Sequence, residues 1–378
     1  MARDALKMST DVLDWAAREA GESLPSLAES IAKRTSERER ILQGELTVSQ
    51  AKNVAARAGI PFGFLFLAEP PNLQRASIPD LRQRQSPNPL SKDFFEVLED
   101  AENKQEWFIE HLRSLGDAEP LKVVGQFSYE SRPKPQVVAD SMRQALGLSS
   151  EDRRSAPTAD SYFGLISKRA ERAGILVMKS GIVKSNTRRA LSPDEFQGFA
   201  LADRIAPLVF VNGRDYEVAA VFTLVHELAH IWLGESGVTD TPQSRTRGLE
   251  RLCNEIAAEF LVPRSEFLNV WSGPESVEAL ATHFRVSRWV IAIRALELGK
   301  IEQEECDALL KRRFPRKSSS GGDAFRTIPV RNSKRLTREL IASTLSGRTL
   351  IRHAAALLNI RADTVVALSR RGAILHAE

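Results

Sequence analysis

The segment 222–233, FTLVHELAHIWL, sets His226, Glu227 and His230 in the pattern HExxH. Residues four apart stand one above the other on a helix, so His226 and His230 can offer imidazole nitrogens to a single cation, with Glu227 beside them. A carboxylate there is placed to act as general base on water that the metal activates. Phe222, Leu224, Val225, Leu228, Ile231 and Leu233 would bury the helix and keep the site dry. In that setting Zn²⁺, the ion these donor types suit, brings the pKa of water towards neutrality and polarises a peptide carbonyl.

The five-residue pattern also fits a buried helix whose histidines are merely hydrogen-bonded, so a third ligand decides. A catalytic zinc takes three protein ligands and keeps one position open. A second helix, expected over 245–262, offers Glu250, Glu255 and Glu259. Leu249, Leu252, Cys253, Ile256 and Phe260 form its apolar stripe, on which Cys253 reads as a small buried residue. Arg251, Glu255 and Glu259 recur at four-residue steps and are expected to face solvent. Glu250 aligns instead with Asn254 and Ala257 at the flank of the core. Its carboxylate can reach a metal there, with Asn254 as a supporting partner, and it is the third-ligand candidate. An exposed Glu250 is the competing reading.

Three separated strings, LVFVN (208–212), FTLVHELAH (222–230) and ERLCNEIAAEFLVP (250–263), occur in this order and closely resemble the core of the ImmA/IrrE-like metallopeptidases over about residues 160–275. The resemblance implies a zinc-dependent peptidase of the glutamate zincin type. His226, His230 and Glu250 would bind the metal and Glu227 would be the catalytic base. It also implies an α+β, predominantly helical fold: a zincin-like core with a small sheet, flanked by helical modules. The implied substrate is a transcriptional repressor or similar regulator in phage, mobile-element or stress-response circuits.

The first 75 residues resemble an XRE-type helix-turn-helix module. Leu27 and Ala28 would lie on its first helix and residues 36–43 would be the recognition helix, with Arg38 and Arg40 as DNA-contact candidates. Glu37 and Glu39 sit between them, and residues 1–60 hold nine basic and nine acidic side chains. Such a neutral module attracts phosphate weakly, so dimerisation or partner docking is the alternative role.

The elements that must position these residues follow from periodicity and breakers. Strands are expected at 174–179 and 206–212, with 208–212 as an edge strand near the metal, able to hold an extended peptide by backbone pairing. The metal helix should stop at Gly234, and the next at Pro263. Further helices are expected at 94–115, 139–146, 161–173, within 276–298, at 336–345 and at 350–371 with a turn at Asn359. Ser36 and Glu39 have capping-box spacing. Tyr216 and His283 read as a packing residue and a helix-surface residue. The implied organisation is 1–75 helix-turn-helix-like module, 76–155 linker and connector, 156–275 peptidase core, 276–315 helical extension, 316–325 linker, and 326–378 basic module.

At 378 residues the chain is too long for one small module. Its 42% hydrophobic and 27% charged residues are those of an ordinary globular protein. Two cysteines cannot make a multi-bridge framework, and neither a signal-like N-terminus nor an apolar run of membrane-spanning length occurs, so a cytoplasmic protein without a membrane role is expected. The net charge of +4 is unevenly spread: residues 311–378 carry fifteen Lys/Arg against four Asp/Glu, and the rest is net acidic. That tail suits nucleic acid or another acidic partner. The rival function class is therefore a DNA-binding regulator or antitoxin-like protein whose metal fold is not proteolytic.

Overall fold

The computed structural model describes residues 5–20, 22–58, 60, 62–70, 90–236, 243–310 and 323–375, in two compact units, Met1–Ala76 and Ser77–Glu378. Residues 76–89 of the expected linker and connector, and most of the linker at 316–325, lie outside the described residues.

The first unit runs β1 (Ala5–Lys7), α1 (Thr10–Glu19), α2 (Leu24–Ile31), α3 (Thr35–Leu42), β2 (Glu45–Thr47) and α4 (Val48–Ala58), then one turn of 3-10 helix at Phe62–Phe66. Strands β1 and β2 pair antiparallel, and Leu13, Leu27, Ile41, Leu46, Val54 and Leu65 meet in one core. Ser23 caps α2 by accepting from the Ser26 amide, and Pro25 occupies the first turn, where its missing N–H costs nothing. The expected capping box of Ser36 and Glu39 does not form. Helix α3 begins at Thr35, with Arg34 as its cap, so both residues lie inside the helix.

The second unit contains α5 (Lys92–Leu115), α6 (Pro135–Leu146), α7 (Ser150–Ser155), α8 (Ala159–Arg172), β3 (Leu176–Ser180), β4 (Ile182–Val183), β5 (Asn186–Ala190), β6 (Gly198–Leu201), β7 (Leu208–Asn212) and α9 (Glu217–Leu233). It continues with α10 (Gln243–Leu261), α11 (Arg264–Val270), α12 (Val277–Phe284), α13 (Arg288–Glu297), α14 (Gln303–Leu310), α15 (Ala324–Arg331), α16 (Lys334–Leu345), α17 (Ile351–Leu358) and α18 (Ala362–Leu375). The fold is α+β and predominantly helical, and no helix among the described residues is long and apolar enough to cross a membrane.

A three-stranded sheet of order β3-β7-β6 organises this unit, with β3 parallel and β6 antiparallel to β7. Successive side chains on a strand alternate between faces. Val177, Ala200, Val209 and Val211 accordingly join the core around α8, α9 and α10. Leu176, Met178, Phe199, Leu208 and Phe210 join a second core, with Phe94 and Phe108 of α5 and with Leu336, Leu340 and Leu358 of the C-terminal helices. Both faces of the sheet are covered, which is why β7 is apolar at four of its five positions.

The expectation that residues 208–212 form an edge strand is corrected: β7 is central, and the outer strand beside it is β6. An apolar, alternation-free run marks a strand buried on both faces but does not say how many strands flank it. In the β6–β7 ladder Asn212 N–H donates to the Gln197 carbonyl at 2.8 Å. Hydrogen-bonded positions alternate in an antiparallel pair, so Gly198 and Ala200 direct their backbone groups away from β7.

Candidate metal centre

Helix α9 is apolar nearly all round, and thirteen of its residues, from Ala220 on, are buried. A helix of that kind must be covered on every side. Helices α8 and α10 and strands β6 and β7 cover it. Its last turn ends on Gly234, at φ +69°, a backbone conformation that favours glycine. The carbonyls left over there are taken by the preceding connector: Gly125 N–H donates to Ile231 O at 3.0 Å, and Phe127 N–H to Trp232 O at 3.0 Å. A β-carbon at Gly234 would stand 2.8 Å from Gly125 Cα, so the pairing requires glycine at this approach.

This rigid helix presents His226, Glu227 and His230, all buried. Helix α10 packs along it, and the structure brings Glu250 to both histidines. One Glu250 oxygen lies 3.1 Å from His226 Nε2, the other 3.0 Å from His230 Nε2, and the two Nε2 atoms are 3.1 Å apart. Donors on a tetrahedral zinc, with zinc–nitrogen distances near 2.0–2.1 Å, stand roughly 3.3 Å from one another. Two imidazoles and a carboxylate already gathered at that spacing fit such an ion.

Asn254, one turn beyond Glu250, places Oδ1 2.9 Å from His226 Nδ1. An amide oxygen only accepts, so Nδ1 carries the proton and the lone pair of Nε2 is directed at the centre. Burial alone would raise the Glu250 pKa, but the two imidazoles outweigh it and hold the carboxyl far below the usual range. Burial likewise opposes a charged His230, yet neighbouring Cys253 and Glu250 push its pKa well up. Cationic character is favoured at this spot, and a metal ion supplies it while displacing the proton.

Glu227 is 4% exposed and faces β6. Gly198 gives it room: a β-carbon there would stand 3.1 Å from Glu227 Oε1 and 2.8 Å from Thr223 Cγ2. Glu250 and Asn254 also line an open groove, whose other walls include Gln197, Tyr216, Phe222 and Trp289. The cluster is therefore buried on the α9 side and reaches the groove through Glu250 and Asn254 on the other.

The remaining candidates divide. Tyr216 is the N-cap of α9, 43% exposed, and lines the same groove. His283 pairs with Glu266 at 2.9 Å on α12. Arg38 donates to Ala32 O at 2.9 Å and faces Glu29, and Arg40 pairs with Glu45, so both are engaged within their own unit. Glu259 corrects the sequence expectation of a solvent-facing stripe. Arg251 is exposed, but Glu259 is 7% exposed, ion-paired with the buried Arg294 of α13 and accepting from Arg264 N–H at 3.1 Å. A stripe at four-residue steps says nothing of where a later helix will cover one end of it.

Gly198 escaped the sequence reading: it had no signal, since its strand is short and its role is the absence of a side chain. Cys253 is buried, as expected, and its sulfur and a ring nitrogen from each of His226 and His230 lie within 4.8 Å of one another.

No curated protein matches the chain. Residues 332–371 match a domain of unknown function, DUF8813. Residues 170–296, which span β3 to α13 and every residue of the cluster, match the IrrE N-terminal-like domain, Peptidase_M78. Over that stretch the chain is similar to metallopeptidases of the IrrE/ImmA type, which supports a peptidase with a bound metal and a protein substrate.

Proposed function

We propose that the protein is a zinc-dependent endopeptidase that cleaves a regulatory protein such as a transcriptional repressor. The observation that carries this reading is the convergence of His226 Nε2, His230 Nε2 and both Glu250 oxygens at 3.0–3.1 Å, beside the buried Glu227. Zinc held by those three side chains would supply a Lewis acid for the scissile carbonyl and a more acidic water. Glu227 takes the proton from the attacking water and returns it to the leaving amine. Asn254 keeps His226 in the tautomer that ligates. The apolar side chains around α9 limit access to the one water that reacts.

A peptide lying in the groove that Gln197, Tyr216 and Glu250 line is brought to the metal through Glu250. In this reading the N-terminal unit and the basic C-terminal helices deliver the peptidase to its target in the cytoplasm. With Arg38 and Arg40 engaged internally, protein docking fits the N-terminal unit better than base recognition.

The test compares newly formed protein N-termini in cells carrying the wild-type chain or Glu227→Gln, at rest and under DNA damage, with zinc content measured in both purified proteins. The expected result is a terminus that appears only with Glu227 intact, with zinc equal in the two. Turnover retained by Glu227→Gln would overturn the mechanism, and identical termini in both strains would favour a non-proteolytic regulator.

A further inference from the structure

We propose that Cys253 is a fourth protein donor to the metal, so that the centre can be closed by a thiolate as well as open to water. This rests on the zinc reading above and concerns what else can reach the ion.

The argument begins with placement. Cys253 is fully buried on the face of α10 that also carries Glu250 and Asn254, and α10 packs directly on α9. Its sulfur and one ring nitrogen of each of His226 and His230 all fall within 4.8 Å. A zinc-bound sulfur at about 2.3 Å and a zinc-bound imidazole at about 2.0–2.1 Å stand roughly 3.5 Å apart. The thiol therefore has no more than about 1.3 Å to close on those ring nitrogens.

A second observation concerns His230. Its Nδ1 is buried and makes no hydrogen bond among the described residues, whereas His226 Nδ1 has Asn254. A ligating histidine normally donates its second nitrogen to a carboxylate, carbonyl or water, which fixes the ring. His230 lacks that restraint, and one of the side-chain hydrogen bonds it does make is with the Cys253 thiol, so the sulfur already faces the ring.

The consequence is chemical. Three ligands of nitrogen and oxygen leave a catalytic zinc one position for water, and a fourth protein ligand fills it, as in structural sites. A site that can add Cys253 has a latent form in which no water is held for Glu227. It also favours thiophilic ions over magnesium or manganese. Sulfur binding transfers the thiol proton to solvent and breaks no other bond.

Cobalt(II) substitution tests this without any substrate. The full chain loaded one-to-one with cobalt is expected to show a thiolate-to-cobalt charge-transfer absorption in the near-ultraviolet, together with the visible bands of a tetrahedral site. In Cys253→Ala the charge-transfer absorption should vanish while the visible bands and stoichiometry persist, and zinc affinity measured against a chromophoric chelator should fall at least about tenfold. Cys253→Ser, nearly isosteric, guards against a packing defect and should behave in the same way. A wild-type cobalt protein without the thiolate absorption, or one whose absorption survives in Cys253→Ala, would overturn the proposal. Cleavage absent from both the wild-type and the Cys253→Ala zinc proteins, with the thiolate absorption present in the wild-type cobalt form, would sink the peptidase reading and leave this one standing.

Discussion

Gly198 on β6 lies against the carboxylate of Glu227 on α9, so closely that a single added carbon would stand 3.1 Å from Oε1 and 2.8 Å from the Phe210 carbonyl. A general base that must meet one water in one orientation loses most of its effect when moved by about 1 Å, a displacement worth on the order of 100-fold in rate. Gly198→Ala should therefore reduce cleavage by about that factor with zinc still bound, because His226, His230 and Glu250 lie on α9 and α10 and not on the strand. Rate and zinc content measured on the same preparation check this, and unchanged cleavage would show that β6 does not position the base.

In the proposed centre Asn254 would act on the metal through His226. Its loss leaves the three donors in place but frees the ring whose Nδ1 it holds at 2.9 Å. Removal of such a supporting partner typically costs 10–100-fold in metal affinity. Asn254→Ala should weaken zinc by roughly that factor, read by competition with a chelator, with thermal stability of the zinc-saturated protein nearly unchanged. A loss of affinity as complete as that of His226→Ala would mean that Asn254 is itself a ligand.

What the sequence made legible here has a physical pattern. The helix that carries His226 and His230 was readable because the spacing of those residues, its apolar surroundings and its terminal Gly234 are all local features. Glu250 was readable because helical periodicity puts it in line with Asn254 and Ala257, away from the charged stripe. The sheet order was not, since the same apolar run describes β7 whether one or two strands flank it. Nor was the cover on the far face of the sheet. Helices α15 to α18 look like an independent basic module in composition, yet Leu336, Leu340 and Leu358 complete the core that Phe94 and Phe210 begin. Burial by an element more than a hundred residues away leaves no local trace.

Glu259 and Glu255 provide a direct test of burial by a later element, being one turn apart on α10 with opposite surroundings. Glu259 is sealed against Arg294, itself 6% exposed, while Glu255 faces Arg251 at the surface. Removing one partner of a buried pair costs about 3–5 kcal/mol, here the lower end because Arg294 keeps Glu297 at 3.3 Å, whereas an exposed pair at this spacing contributes about 0.3–0.5 kcal/mol. Glu259→Ala should lower unfolding stability by the larger amount and Glu255→Ala by the smaller, in denaturant titrations at neutral pH. Equal effects would place Glu259 in solvent.

Glu266 sets a pH dependence away from the metal. Burial raises its pKa, but hydrogen bonds from the Arg153 guanidinium and from His283 outweigh burial and hold it below the usual carboxylate range. Arg153 is itself buried, packed over the Phe284 ring at 4.8 Å, so the pair ties α7 to α11 and α12. A carboxyl with a depressed native pKa contributes stability that is present above its unfolded pKa, near 4.5, and is lost as pH falls through the native value. Wild type should therefore exceed Glu266→Gln in stability at pH 7, and the gap should narrow below about pH 4.5 as the wild-type carboxyl takes up its proton. Urea titrations of both proteins across that range measure the gap. A gap that widened in acid would mean that Arg153 and His283 do not stabilise the carboxylate, and that Glu266 is held as the neutral acid.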